Sequence, residues 1–153
     1  MFRSTIVCAV SLVLIVLASS LVTAQVPAAA DPGTPTFDES MSNLNRAFRK
    51  IRRSERSAGT LEADLVQVSA FQAAIVAAKS VAASLPMAPQ ASEAYGGDQA
   101  VYLKALRLSM NQLLSEAVDL EKAMLAGDAE AMEKHIVRIN ALKASGHEDF
   151  QSD

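Results

Sequence analysis

Cysteine is nearly absent from this chain of 153 residues, and the only one is Cys8. A disulfide within the chain is therefore excluded, and so is chemistry that needs a pair of thiols. Glycine-rich phosphate-binding motifs are also missing, and neither His135 nor His147 has a spacing that identifies a Ser–His–acid site. The sequence consequently predicts a protein that is not an enzyme.

The N-terminus has the organisation of a secretory signal peptide. Arg3 precedes an apolar stretch over residues 6–17, and Val22-Thr23-Ala24 supplies small or compact side chains before Gln25. Residues 1–24 are therefore predicted to be removed on export, with the periplasm as the expected location. An uncleaved anchor helix is the alternative, because weak apolarity continues beyond residue 17.

Cleavage would leave residues 25–153, a length that suits one domain with its own core. Arg3 is the only charged residue lost, so 13 of the 14 Lys and Arg residues remain against 17 Asp and Glu, a net charge of −4. This balance does not indicate nucleic-acid binding. No membrane segment is expected after cleavage, and a monomer or weak dimer is the expected state.

The first helical pattern follows a Pro/Ala/Gly linker at residues 25–35. Thr36 and Glu39 match a capping box, which predicts a helix start. The apolar residues that recur at helical spacing are Phe37, Met41, Leu44, Phe48 and Ile51. The basic residues near its end are Arg46, Arg49, Lys50, Arg52, Arg53 and Arg56. This basic cluster suits the negative end of the helix dipole, and docking of an acidic partner is the alternative.

Three further helices are predicted after a short turn. Thr60 is expected to cap the second helix, which continues to about Leu85 before two prolines stop it. One long loop then leads to Asp98, the expected cap of the third helix. Gly127 is expected to close the third helix, and Asp128 to cap the fourth.

The third and fourth helices carry regular apolar seams with alternating spacings of three and four. The third seam consists of Leu103, Leu106, Met110, Leu113, Ala117, Leu120 and Met124. The fourth consists of Ala129, Met132, Ile136 and Ile139, and its register then meets Lys143, Gly146 and Phe150. Such seams are the packing faces of helical bundles. The three links between the predicted helices are short, long and short. Together with the seams, they predict an all-α fold over residues 36–153, an antiparallel up-down-up-down four-helix bundle.

The break in the fourth seam lies beside two side chains that can bind a metal. In this bundle the first helix begins, and the fourth ends, at the same end. Met41 and His147 should each lie roughly 7–9 Å from that end at 1.5 Å per residue. Lys143 and Gly146 replace core-filling side chains beside them, which leaves a gap for a flat, mostly apolar ligand. A methionine and a histidine together can ligate haem iron.

Each of these residues also has a purely structural interpretation. A methionine on an apolar stripe usually fills the core, and a histidine near a helix C-terminus can interact with the dipole alone. The matched depth of Met41 and His147 favours a binding site, but their spacing does not by itself name haem. His135 lies about 120° around the helix from His147, so it is expected in solvent or in a surface contact.

Both ends of the predicted bundle resemble one family. "SMSNLNRAFRKI" is similar to the first helix of the cytochrome b562 family, in which a methionine is followed three residues later by Leu-Asn. Here these residues are Met41, Leu44 and Asn45. "LKASGHEDFQ" is similar to the family's closing segment, and the resemblance covers roughly residues 36–151. It implies a four-helix bundle that holds one haem b per chain non-covalently, with Met41 and His147 as axial ligands.

Two positions depart from the patterns of related proteins. The ending also resembles the cytochromes c-prime, but Lys143 and Gly146 stand where their haem-attaching cysteines would be, so thioether attachment is excluded. The b-type pattern has a bulky aromatic residue at the position of Gly146, which implies a more exposed or more weakly bound haem. Lys143 lies one turn before His147 and could pair with a haem propionate.

The resemblance implies one-electron transfer with unidentified periplasmic redox partners, because two protein ligands leave the iron no open position. Two alternatives stay open. One is a haem-free periplasmic helical bundle that acts as a binding or chaperone-like protein, which Gly146 favours. The other is a five-coordinate haem protein that binds gases through His147 alone, which Met41 disfavours.

Overall fold

The computed structural model describes residues 33–150. The predicted signal peptide and most of the predicted linker lie outside these residues. Within them the chain has no strand, so the predicted all-α fold is confirmed. The helices are α1 (Phe37–Arg53), α2 (Leu61–Val81), α3 (Ala91–Ala94), α4 (Gln99–Ala126) and α5 (Ala129–Phe150), with a 3₁₀ turn at Ala82–Ser84.

Most of the predicted helix ends are confirmed by their hydrogen bonds. The Thr36 hydroxyl accepts from the Glu39 N–H at 3.2 Å, and the Glu39 carboxylate accepts from the Thr36 N–H at 2.8 Å. Asp98 accepts the first backbone N–H groups of α4, and Asp128 does the same for α5. Gly127 ends α4 with φ 68°, a left-handed conformation that glycine adopts without strain.

Two predictions about the loops are confirmed only in part. Thr60 is the N-cap residue of α2, but its side chain makes no capping hydrogen bond, because its hydroxyl donates to the Asp64 carboxylate at 2.7 Å instead. The long loop after α2 contains a further short helix, α3. Tyr95, which follows α3, packs against Tyr102 at the start of α4 and against Phe150 at the end of α5, and these contacts hold the segment in place.

The core follows the predicted seams, with a few exceptions. In α4 the predicted positions are buried except Leu103, which is half-buried because Tyr102 points inward in its place. Ala129 is exposed at the start of α5. The centre is built around Phe48 of α1 and Phe71 of α2, whose rings stack at 5.3 Å between centroids.

The helices are not equally close to one another. α1 packs on α2, α2 on α4, and α4 on α5. Between α1 and α5 the contacts are made by long side chains: Arg52 donates to Asn140 at 3.2 Å, and the Lys143 ammonium lies 5.0 Å from the centre of the Phe48 ring. Phe48 precedes Arg52 in α1, whereas its partner Lys143 follows Asn140 in α5, so α1 and α5 run antiparallel.

One segment of the described chain, Leu61–Ser84, is long and apolar enough to cross a membrane by length and composition. Its apolarity has a second explanation, because Val68, Phe71 and Ile75 are fully buried in the core. A helix that packs one face into a protein interior passes the same test.

Candidate functional site

A cleft separates the start of α1 from the end of α5, with α4 as its floor. We call it the α1/α5 cleft. It is lined by Phe37, Met41, Leu106, Ser109, Met110, Leu113, Leu142, Lys143, Gly146, His147 and Phe150. Met41, Lys143 and His147, the three residues singled out from the sequence, therefore border one common space.

Gly146 opens one wall of this cleft. It is a helical residue of α5, and the helix continues through it to Phe150. A Cβ added at this position would meet the Ser109 hydroxyl at 4.0 Å, which is an ordinary contact. A larger side chain in this position would project into the cleft, so the glycine keeps that space open.

The last turn of α5, which carries the exposed His147, is held by an aromatic cluster of Tyr95, Tyr102 and Phe150. The Phe150 ring lies 5.8 Å from that of Tyr102 and 6.0 Å from that of Tyr95. The Tyr102 hydroxyl also lies 3.5 Å from the Phe150 carbonyl, at the limit of a hydrogen bond. Burial raises the pKa of Tyr102 and of Tyr95, which keeps both phenols neutral. The cluster therefore positions the turn beside His147 without adding charge.

Lys143 places a positive charge at the side of the cleft. It is half-buried, and among residues 33–150 its ammonium has no hydrogen-bonded or ion-paired acid. Burial lowers its pKa, and the neighbouring Arg52 and Arg49 lower it further. An anionic group in the cleft would favour the charged form of Lys143 and so offset these effects. A haem propionate is such an anion.

The cleft is narrow in this conformation. Its volume is about 40 Å³, whereas pockets for small molecules measure roughly 300–1,000 Å³. A haem would need the facing side chains of α1 and α5 to separate. The hydrogen bonds that join this side of the fold, Arg52 with Asn140 and Arg56 with Glu133, lie further from this end, so separation at the cleft would leave them in place.

The donor set fits haem iron despite this narrowness. Met41 offers a thioether from α1 and His147 an imidazole from α5, on two walls of a largely apolar space. Met110 offers a second thioether from α4, which the sequence did not distinguish from the other methionines. Met124 and Met132 line a different cavity, near the α4–α5 turn, and Met87 lines another one beside the segment that follows α2. Among the described methionines, the thioether ligand is therefore Met41 or Met110.

The other histidine lies outside the cleft, as predicted. His135 Nδ1 is 2.7 Å from a Glu116 carboxylate oxygen, and Arg138 approaches the other oxygen at 3.4 Å. This contact joins α5 to α4 and leaves His135 only 15% exposed. Its role is accounted for by helix packing.

Clusters of three or more His, Cys, Asp or Glu residues arranged to hold a metal ion do not occur among the described residues. A haem site does not need one, since the macrocycle supplies the other iron ligands. Comparisons of the chain with protein-family models, curated proteins and solved structures found no match.

Proposed function

We propose that this protein is an antiparallel up-down-up-down four-helix bundle that binds one haem b per chain non-covalently and transfers single electrons. The observation that carries the proposal is that Met41 and His147 line the same cleft, beside a glycine that leaves one wall open. Their separation of 106 positions in the chain makes this juxtaposition a property of the fold.

Each lining residue has a distinct part in this proposal. Met41 and His147 would hold the iron through a thioether and an imidazole, and ligation by both side chains would leave no position for a substrate or for oxygen. Lys143 holds a propionate through its ammonium. The apolar side chains of α4, Leu106 and Leu113, exclude water from the cleft floor. The bound haem supplies reversible one-electron chemistry, and the chain tunes it through ligands, burial and charge.

The site of action follows from the N-terminal sequence. A cleaved signal peptide at residues 1–24 would deliver the protein to the periplasm as a monomer or weak dimer. Its redox partners are unidentified. Arg46, Arg49, Lys50 and Arg53 are exposed on α1 and form a basic surface, which would favour partners that carry an acidic patch.

A second candidate, a haem-free helical binding or chaperone-like protein, is favoured by one observation. The cleft closes to about 40 Å³ through side chains of the same chain, so the fold has a filled core without a cofactor. In that case Met41 packs as an ordinary core side chain.

Replacement of each ligand tests the proposal. His147→Ala should abolish most haem binding, because it removes the stronger ligand. Met41→Leu keeps an apolar side chain of similar size, so haem should stay bound through His147, and the reduced protein should become high-spin and bind carbon monoxide. Met110→Leu and His135→Ala are the matched controls and should leave the spectrum of the parent unchanged.

The same spectra distinguish the alternatives. A low-spin spectrum that survives Met41→Leu but is lost in Met110→Leu would move the thioether ligand to α4. Carbon monoxide binding by the parent itself would indicate the five-coordinate gas-binding protein. If His147→Ala still associates with haem as the parent does, the association is nonspecific. That result would favour the helical binding or chaperone-like protein, which has no haem of its own.

A further inference from the structure

A second and larger cavity lies where the turn between α1 and α2 meets the turn between α4 and α5. We call it the turn cavity. Its volume is about 370 Å³, within the range of roughly 300–1,000 Å³ found for small-molecule sites. Its apolar wall includes Leu61, Met124, Leu125 and Met132, and its polar wall includes Arg56 and Asp64. None of these residues belongs to the α1/α5 cleft.

Asp64 is a buried carboxylate on the wall of the turn cavity. The residue is 4% exposed. One oxygen, Oδ2, accepts from the Ser54 hydroxyl at 2.8 Å and lies 2.7 Å from the Thr60 hydroxyl. The other, Oδ1, accepts no hydrogen bond from residues 33–150. Because Asp64 lines the turn cavity, a group bound there could donate to this oxygen.

The charge of Asp64 is not neutralised by the nearby arginine. The Arg56 guanidinium donates to the Ile51 carbonyl at 3.4 Å and forms an ion pair with Glu133 at 3.2 Å. Its contacts thus tie the end of α1 to α5 and do not reach Asp64. In the described chain no cation pairs with Asp64. The partners of Asp64 in the described chain are two hydroxyl groups, so a bound cation would add the charged partner that this carboxylate lacks there.

We propose that the turn cavity binds a small organic cation, with a primary ammonium on Asp64 Oδ1 and an apolar body against the opposite wall. An ammonium has three donors and no acceptor, which matches a carboxylate oxygen that lacks a donor. The two methionines of the wall, Met124 and Met132, adapt to irregular apolar shapes because their side chains are unbranched and polarizable. This site is independent of the proposed haem function, since it lies on other residues.

Titration with hexylammonium tests the site, and 1-hexanol is the matched neutral ligand with the same apolar chain. In the purified protein, hexylammonium should cause saturable amide shifts at residues 56–64 and 124–132 in NMR spectra. Its dissociation constant should be at least about tenfold lower than that of 1-hexanol, because a hydrogen bond to a charged group contributes more than a neutral one. Asp64→Asn should remove this difference, whereas Asp119→Asn, a change at a carboxylate of α4 that does not line the cavity, should leave it intact.

Leu125→Trp provides a second variant that leaves Asp64 and its hydroxyl partners in place. Leu125 is 64% exposed at the cavity rim, so the larger ring can fill the space without entering the core, and hexylammonium binding should be lost. The proposal is overturned if hexylammonium does not saturate, if 1-hexanol binds equally well, or if Leu125→Trp binds hexylammonium like the parent. Any of these results would mean that Asp64 only ties the α1–α2 turn together. Should Asp64→Asn fail to fold, the comparison of ligands in the parent and Leu125→Trp decides the question.

Discussion

Phe150→Ala should weaken haem binding by loosening the turn that carries His147. Phe150 contacts two rings, those of Tyr102 at 5.8 Å and Tyr95 at 6.0 Å. Each such pair contributes about 0.5–1.5 kcal/mol beyond the area it buries, so losing both costs about 1–3 kcal/mol. If this cost falls on the end of α5, haem affinity should drop by about 5- to 150-fold, at tenfold per 1.4 kcal/mol.

Two measurements distinguish a role of Phe150 in positioning the turn that carries His147 from a role as part of the cleft wall. Haem titration gives the affinity, and hydrogen exchange of the haem-free protein gives the order of residues 145–150. Phe150→Ala should accelerate exchange in that turn and weaken binding together. Val137→Ala, at a position of α5 that is 57% exposed, is the control and should do neither. Faster haem loss with unchanged exchange would refute the idea that the aromatic cluster orders the turn.

Three further predictions concern stability. Lys143→Met should stabilise the haem-free protein at neutral pH, because burial lowers the folded-state pKa of Lys143 below its ordinary 10.5 and the buried charge therefore destabilises the fold. This destabilisation should fade as the pH rises toward 10.5, because the folded state loses its proton before the unfolded state does. Urea unfolding of both proteins at several pH values tests this, and a difference in stability that stays constant with pH would contradict it. Gly127→Ala should destabilise the fold by about 1–2 kcal/mol because of its left-handed φ. Gly146→Ala should stabilise it by about 0.5–1 kcal/mol, because Gly146 is helical and the added Cβ would make only an ordinary contact with Ser109. Equal effects in denaturant titrations would contradict this difference in backbone conformation. Haem at a hundredfold excess over its dissociation constant should raise the unfolding free energy by about 2.7 kcal/mol, and coincident melting curves with and without haem would exclude a specific site.

The helix ends could be predicted because their signals are local. Thr36 with Glu39, Asp98, and Gly127 with Asp128 act on backbone groups within a few residues, so the sequence contains all that determines them. Thr60 occupies the predicted N-cap position of α2 without a capping hydrogen bond, because its hydroxyl donates to Asp64 in the next turn, which local propensity does not reveal. The burial of Asp64 itself depends on how α1, α2 and α4 meet.

The candidate site could be predicted in its residues but not in its dimensions. Helix rise and the predicted topology led us to expect Met41 and His147 at similar depth, and both residues line one cleft. The aromatic cluster was not predicted because Tyr95 lies in a loop before α4, and its approach to Tyr102 and Phe150 depends on how that loop folds. The closure of the cleft to about 40 Å³ depends on side-chain packing, which no sequence pattern specifies.

The most direct test of the central claim is a titration of haem into the purified protein, followed by the absorption spectrum after reduction. We expect saturation at one haem per chain and a low-spin spectrum that carbon monoxide does not change, as the proposed ligation by both Met41 and His147 requires. Absorbance that rises without saturation, or a reduced spectrum that is high-spin, would contradict paired ligation by these two residues.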